Sequence, residues 1–72
     1  MTQCERVLRH MQQRGSIDPR EALEAYGIMR LGARIWDLKR VGCKIRRETV
    51  QDVNRFGEPV RFTRYSLEDE TV

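Results

Sequence analysis

The 72-residue chain has little from which catalytic or metal centres are built, with one histidine and two cysteines. Cys4 and Cys43 are far apart, and neither has a second Cys or His at zinc-ligand spacing. Both are read as reduced thiols filling apolar positions, Cys4 on the first helix and Cys43 at the mouth of a strand. His10 sits beside Arg9 on a mostly polar stretch with no recognisable nucleophile or carboxylate partner, so it is read as a solvated or half-buried side chain. A phosphate-cradling glycine loop and a paired-carboxylate motif are missing as well. Together these absences predict a non-enzyme with no cofactor and no metal. No apolar stretch approaches the length of a membrane span, and MTQCERVLRHM lacks the apolar run of a secretory signal, which sets a cytoplasmic location as the expectation.

What the chain does have is charge on a modest core. The hydrophobic fraction is 39% and the charged fraction 35%, the balance of one small globular domain with a heavily charged surface. The charge is unevenly placed. Residues 1 to 28 are neutral overall, residues 29 to 66 carry +6, and residues 67 to 72 carry −3. Positive charge confined to one contiguous half suits a polyanion binder, because each phosphate neutralised releases a counterion. Arginine supplies 12 of the 14 cations, a bias that suits bidentate contact with phosphates or guanine edges.

Periodicity orders the elements. Cys4, Val7, Leu8 and Met11 share one helical face, with Thr2 and Glu5 spaced as a capping box and Gly15 as the stop. Ser16 and Ile17 read as a short extended link able to pair with a later hairpin. A second helix starts at Asp18, with Pro19 at its first position and Glu21 in its first turn. Ala22, Leu23 and Tyr26 form its apolar side, and Gly27 followed by Ile28 marks its end. A third helix is predicted from about Met29 to Val41, closed by Gly42. Its core face is Leu31, Ile35 and Leu38, joined by Ile28, while Met29, Arg30, Ala33, Asp37 and Arg40 point outward with Arg34 and Lys39 on the flanks. From Cys43 the pattern turns to β, broken by Asn54, Gly57 and Pro59, which reads as a hairpin with more than a two-residue turn. Ile45, Tyr65 and Leu67 are expected to face the helices. Lys44, Arg46, Arg55, Arg61 and Arg64 fall on the other face or the tip in a combination that alternation alone leaves open. The fold class is therefore α+β, three helices and a C-terminal two-stranded hairpin, with a domain over 1–67 and an acidic, frayed tail over 68–72.

The order helix, short strand, helix, tight turn, helix, hairpin resembles a winged helix-turn-helix domain. The segments EALEAYGIMRLGARIWDLKRVGCKI and NRFGEPVRFTRYSL are similar to the small winged helix-turn-helix proteins often encoded by phages and prophages, through the run YGIxRLxARIxDLxxxG. The resemblance spans roughly residues 3 to 67. It implies that helix 3 is the recognition helix in the major groove of double-stranded DNA and the hairpin is the wing. Arg30 and Arg34 would reach bases, Lys39 and Arg40 phosphates, and Arg55 the backbone or minor groove. Ala33 and Asp37 lie on the same outward face, and Arg46 and Asn54 complete the set on the wing.

Two residues depart from a simple transfer. Gly32 costs about 1 kcal/mol relative to alanine in a helix. Asp37 would repel phosphate unless it accepts from a cytosine amino group or pairs with Arg34 or Arg40, and pairing is the favoured reading. Trp36 either packs between helix 3 and the wing or stands exposed at an interface. Phe56 either inserts toward a groove or a protein partner, or folds back over its loop. A single module of this size covers about 600 to 1,000 Å² of protein surface, so a homodimer or cooperative assembly on DNA is expected. The rival from another class is a protein-binding module that inhibits or recruits a nucleic-acid-processing enzyme, a role kept open by the acidic tail, Trp36 and Phe56.

Overall fold

Three helices run into one antiparallel hairpin in the computed structural model, which describes residues 1–68. Helix α1 (Gln3–Arg14) starts with a complete capping box: the Thr2 hydroxyl accepts from the Glu5 N–H, and the Glu5 carboxylate accepts from the Thr2 N–H. The Thr2 backbone N–H, then the Thr2 side chain, hold the Glu5 carboxyl below its usual value. Helix α2 (Pro19–Tyr26) repeats the device with Asp18 and Glu21, which exchange hydrogen bonds of 2.8 and 3.1 Å. At its end the Gly27 N–H donates to Leu23 O with the glycine left-handed at φ +67°, a conformation that side-chain-bearing residues avoid. That turn carries Ile28 into the core.

Helix α3 spans Leu31–Arg40, narrower than expected at both ends. Arg30 is its N-cap without a side-chain cap, and Val41 is its C-cap. The Arg30 backbone, at φ −116° and ψ 65°, lies outside the helical region, so the helix starts at Leu31 and not at the expected Met29. Ala22, Ile28, Leu31, Ile35 and Leu38 close around Val7, Met11 and Ile17, with Ile45 at the edge. Leu23 is a correction: it is 52% exposed, and the buried side of α2 reduces to Ala22 with half-buried Tyr26. His10 is another, being buried at 8% exposure with Nδ1 2.8 Å from Tyr26 Oη and its ring edge-on to the tyrosine. This contact ties α1 to α2 and satisfies one of the two ring nitrogens.

Strands β1 (Ile45–Val53) and β2 (Pro59–Leu67) pair in antiparallel register, Ile45 opposite Leu67 and Val53 opposite Pro59. Asn54 and Glu58 close a three-residue loop in which the Gly57 N–H donates to Asn54 O and Gly57 sits at φ +78°, the type I turn plus left-handed residue common in such loops. Ile17 bridges Tyr65 on the outer side of β2 by two hydrogen bonds of 2.8 Å, the short strand expected between α1 and α2. Ile45, Tyr65 and Leu67 face the helices as expected. Of the tail, Glu68 is described, and its N–H donates to Lys44 O; the expectation of a frayed acidic end falls otherwise on residues 69–72, outside the described residues. Among the described residues no helix is long and apolar enough to cross a membrane.

Candidate nucleic-acid interface

The two flanks of α3 have different neighbours. On one side Arg34 is only a third exposed: it reaches Asp37 Oδ2 at 3.2 Å and donates to Gln3 Oε1 of α1 at 3.4 Å, with its Nε buried. Cys4 of α1 lies against the same pair, its Sγ 3.9 Å from Asp37 Oδ2. Arg34 and Asp37 are therefore paired, as favoured from the sequence, and the pair sits in the seam where α1 packs on α3. Ala33 is half-buried beside them.

The other flank faces the hairpin. Gly32, Trp36 and Lys39 line a cleft of about 90 Å³ whose far wall is Arg47 and Tyr65. Trp36 is 60% exposed, and the Arg40 guanidinium carbon lies 4.8 Å from its ring centroid. The stack holds a flexible cation over a rigid aromatic face, outside the core, which decides for exposure over burial at this position. Arg30 and Met29 are exposed at the N-terminal end of the helix.

Strand register divides the hairpin by charge. Side chains alternate between faces, and facing pairs share a face. With Ile45, Tyr65 and Leu67 lie Arg47, Thr49, Gln51, Arg61 and Thr63, a set with no acid. The opposite face holds Arg46, Glu48, Asp52 and Arg64, and its acids are engaged there: Arg64 reaches Glu48 at 2.7 Å, and Arg20 of α2 reaches Asp52 at 3.5 Å while lying over Phe62. Arg46 belongs to that face, turned from the side of the cleft. At the tip, Arg55 and Phe56 are exposed, Phe56 at 78%, so it does not fold back over its loop. The Asn54 amide is occupied internally: Oδ1 accepts from the Phe56 and Glu58 N–H groups at 2.9 and 3.0 Å, and Nδ2 donates to Glu58.

The structure thus brings Lys39, Trp36 and Arg47 together in the cleft between α3 and the hairpin, with Arg40 stacked on Trp36 and Arg61 further along the same face of the hairpin. Arg30 is exposed at the start of α3 beside Gln3, Met29 and Arg34, and Arg55 is exposed at the hairpin tip, while Arg34, Asp37 and Asn54 are engaged in holding the fold. Arg47 escaped sequence reasoning, although counting alternate positions from Ile45 would have found it. The profile of the winged helix-turn-helix domain family matches residues 2–70. No curated protein and no solved structure matches the chain. Helix α3 and the hairpin beside it, on a match that spans nearly the whole sequence, identify the chain as a member of the winged helix-turn-helix domain family.

Proposed function

We propose that the protein binds double-stranded DNA sequence-specifically and without catalysis, as a transcriptional regulator or excisionase-like factor of a phage or mobile element. The observation that carries this reading is the acid-free side of the hairpin that faces α3, with Arg47 and Arg61 on it, Lys39 across the cleft, and Glu48 and Asp52 on the opposite side. A polyanion approaching that side of the hairpin meets cations and no carboxylate, and on α3 the Asp37 carboxylate is held by Arg34 at 3.2 Å. In this reading α3 enters the major groove, where Trp36 and Arg40 meet base edges or thymine methyls. Lys39, Arg47 and Arg61 meet phosphates, Arg30 contacts the strand at the helix start, and Arg55 reaches the neighbouring groove. The phage or mobile-element assignment rests on the resemblance of the YGIMRLGARIWDLKRVG run.

Selection from a random duplex library, followed by titration of the winning site against salt, tests the proposal. An enriched motif with affinity falling steeply as salt rises supports it. Absence of duplex binding at moderate salt, with a stable complex formed with a protein instead, would favour the protein-binding reading, for which exposed Met29 (85%) and Phe56 (78%) supply the apolar surface.

A further inference from the structure

The two edges of the sheet are treated differently by the sequence. Along β2 the residues whose backbone groups point away from β1 are the odd-numbered ones, as the Ile17–Tyr65 bridge shows. That edge is blunted twice, by Ile17 at Tyr65 and by Pro59, which has no N–H to offer. Along β1 the even-numbered residues bond inward, as Lys44 O with Glu68 N–H and Asn54 N–H with Glu58 O fix at the two ends. The odd-numbered residues therefore aim their N–H and C=O groups at solvent. Proline, glycine and bulge are absent from β1, and β2 is the only described element that packs along it to any extent.

We propose that this bare edge pairs with the same edge of a second copy, β1 against β1 antiparallel and centred on Thr49, to make a continuous four-stranded sheet. The charge pattern of the strand selects the register. A two-fold axis through the sheet keeps each face on its own side, so residues of like parity meet. Centring on Val50 would set Glu48 against Asp52 twice, and centring on Glu48 would set that carboxylate against itself. Centring on Thr49 pairs all nine residues. It places Arg46 opposite Asp52 of the other copy in both halves, and exposed Val53 opposite Ile45. Glu48 then faces Val50 and keeps Arg64 as its partner. Asp52, which now accepts from the Val53 N–H at 2.8 Å, turns to the incoming Arg46 and releases that N–H to the ladder. The same symmetry carries the acid-free faces of both copies to one side.

The test is sedimentation equilibrium of the DNA-free protein from micromolar to millimolar concentration. The wild-type chain is expected to dimerise. Arg46→Asp alone and Asp52→Arg alone each create two like-charge pairs and are expected to weaken dimerisation by roughly ten-fold or more. Mixed in equal amounts, the two variants regain both opposite-charge pairs and form the heterodimer at wild-type strength. A wild-type chain that stays monomeric over the whole range overturns the proposal. So does a dimer indifferent to both substitutions, or a mixture no stronger than its components. None of these results bears on whether the monomer binds DNA, which the duplex selection decides separately.

Discussion

Gly32 occupies the second position of α3, where glycine weakens a helix, yet its neighbourhood does not demand it. A methyl group there would meet only Tyr65 Oη at 3.8 Å, an ordinary contact, and the residue's φ is not left-handed. Gly32→Ala is expected to raise unfolding free energy by about 1 kcal/mol, measured by urea denaturation. Gly32 also lies in the cleft between Trp36 and Tyr65. Weaker duplex binding by the more stable variant would mean that DNA approaches the α3 backbone there; unchanged binding would leave the glycine without a role at the interface. Asn54 gives the opposite case. Its amide closes the hairpin loop through two accepted bonds and one donated bond. Asn54→Ala is expected to cost roughly 1 kcal/mol and to accelerate hydrogen exchange at the Phe56 and Glu58 amides, while any drop in DNA affinity follows only from the loosened tip.

At the scale of elements, α3 shows how much could be read from sequence and where reading failed. Its core face was legible because Leu31, Ile35 and Leu38 recur at helical spacing, and the capping boxes of α1 and α2 were legible because each lies within four residues. Which neighbour covers each flank was not, since spacing around one helix carries no record of where another helix lies. Arg34 therefore reads as outward in sequence but sits in the α1 seam. Leu23 reads as core because the second helix is only eight residues long, too short for its stripe to be fixed by periodicity. Within each strand alternation from Ile45 and from Tyr65 fixes the faces, whereas which β1 residue meets which β2 residue is set by the Asn54–Glu58 closure, between residues that alternation treats as loop. The two arginines of α3 are accordingly expected to separate in experiment. Arg34→Ala removes the ties to Asp37 and Gln3 and should lower thermal stability, leaving the salt slope of duplex binding close to wild type. Arg40→Ala leaves stability within about 0.5 kcal/mol and should reduce affinity for the selected site, with the slope smaller by about one if Arg40 meets a phosphate rather than a base.

For the whole molecule, the net charge of +3 is a poor guide to how DNA would be met, because the acids are not spread evenly around it. Glu48 and Asp52 are gathered on one face of the hairpin, where Arg64 and Arg20 neutralise them, and the other face, with Arg47 across the cleft from Trp36 and Lys39, carries no acid. Two double variants of identical charge isolate that asymmetry. Arg47→Ala with Arg61→Ala removes two cations from the acid-free face; Arg20→Ala with Arg64→Ala removes two cations already bound to carboxylates. If binding depended on overall charge, both would weaken it alike. The placement of the residues predicts otherwise: the first pair should lower the slope of log affinity against log salt by about two, at roughly 0.9 for each phosphate no longer neutralised, whereas the second should leave it near wild type. The second pair removes the cation–π stack on Phe62 and uncovers Glu48 and Asp52, but it does so on the hairpin face opposite Arg47 and Arg61. Equal slopes for the two variants would mean that DNA does not settle on the face between α3 and the hairpin.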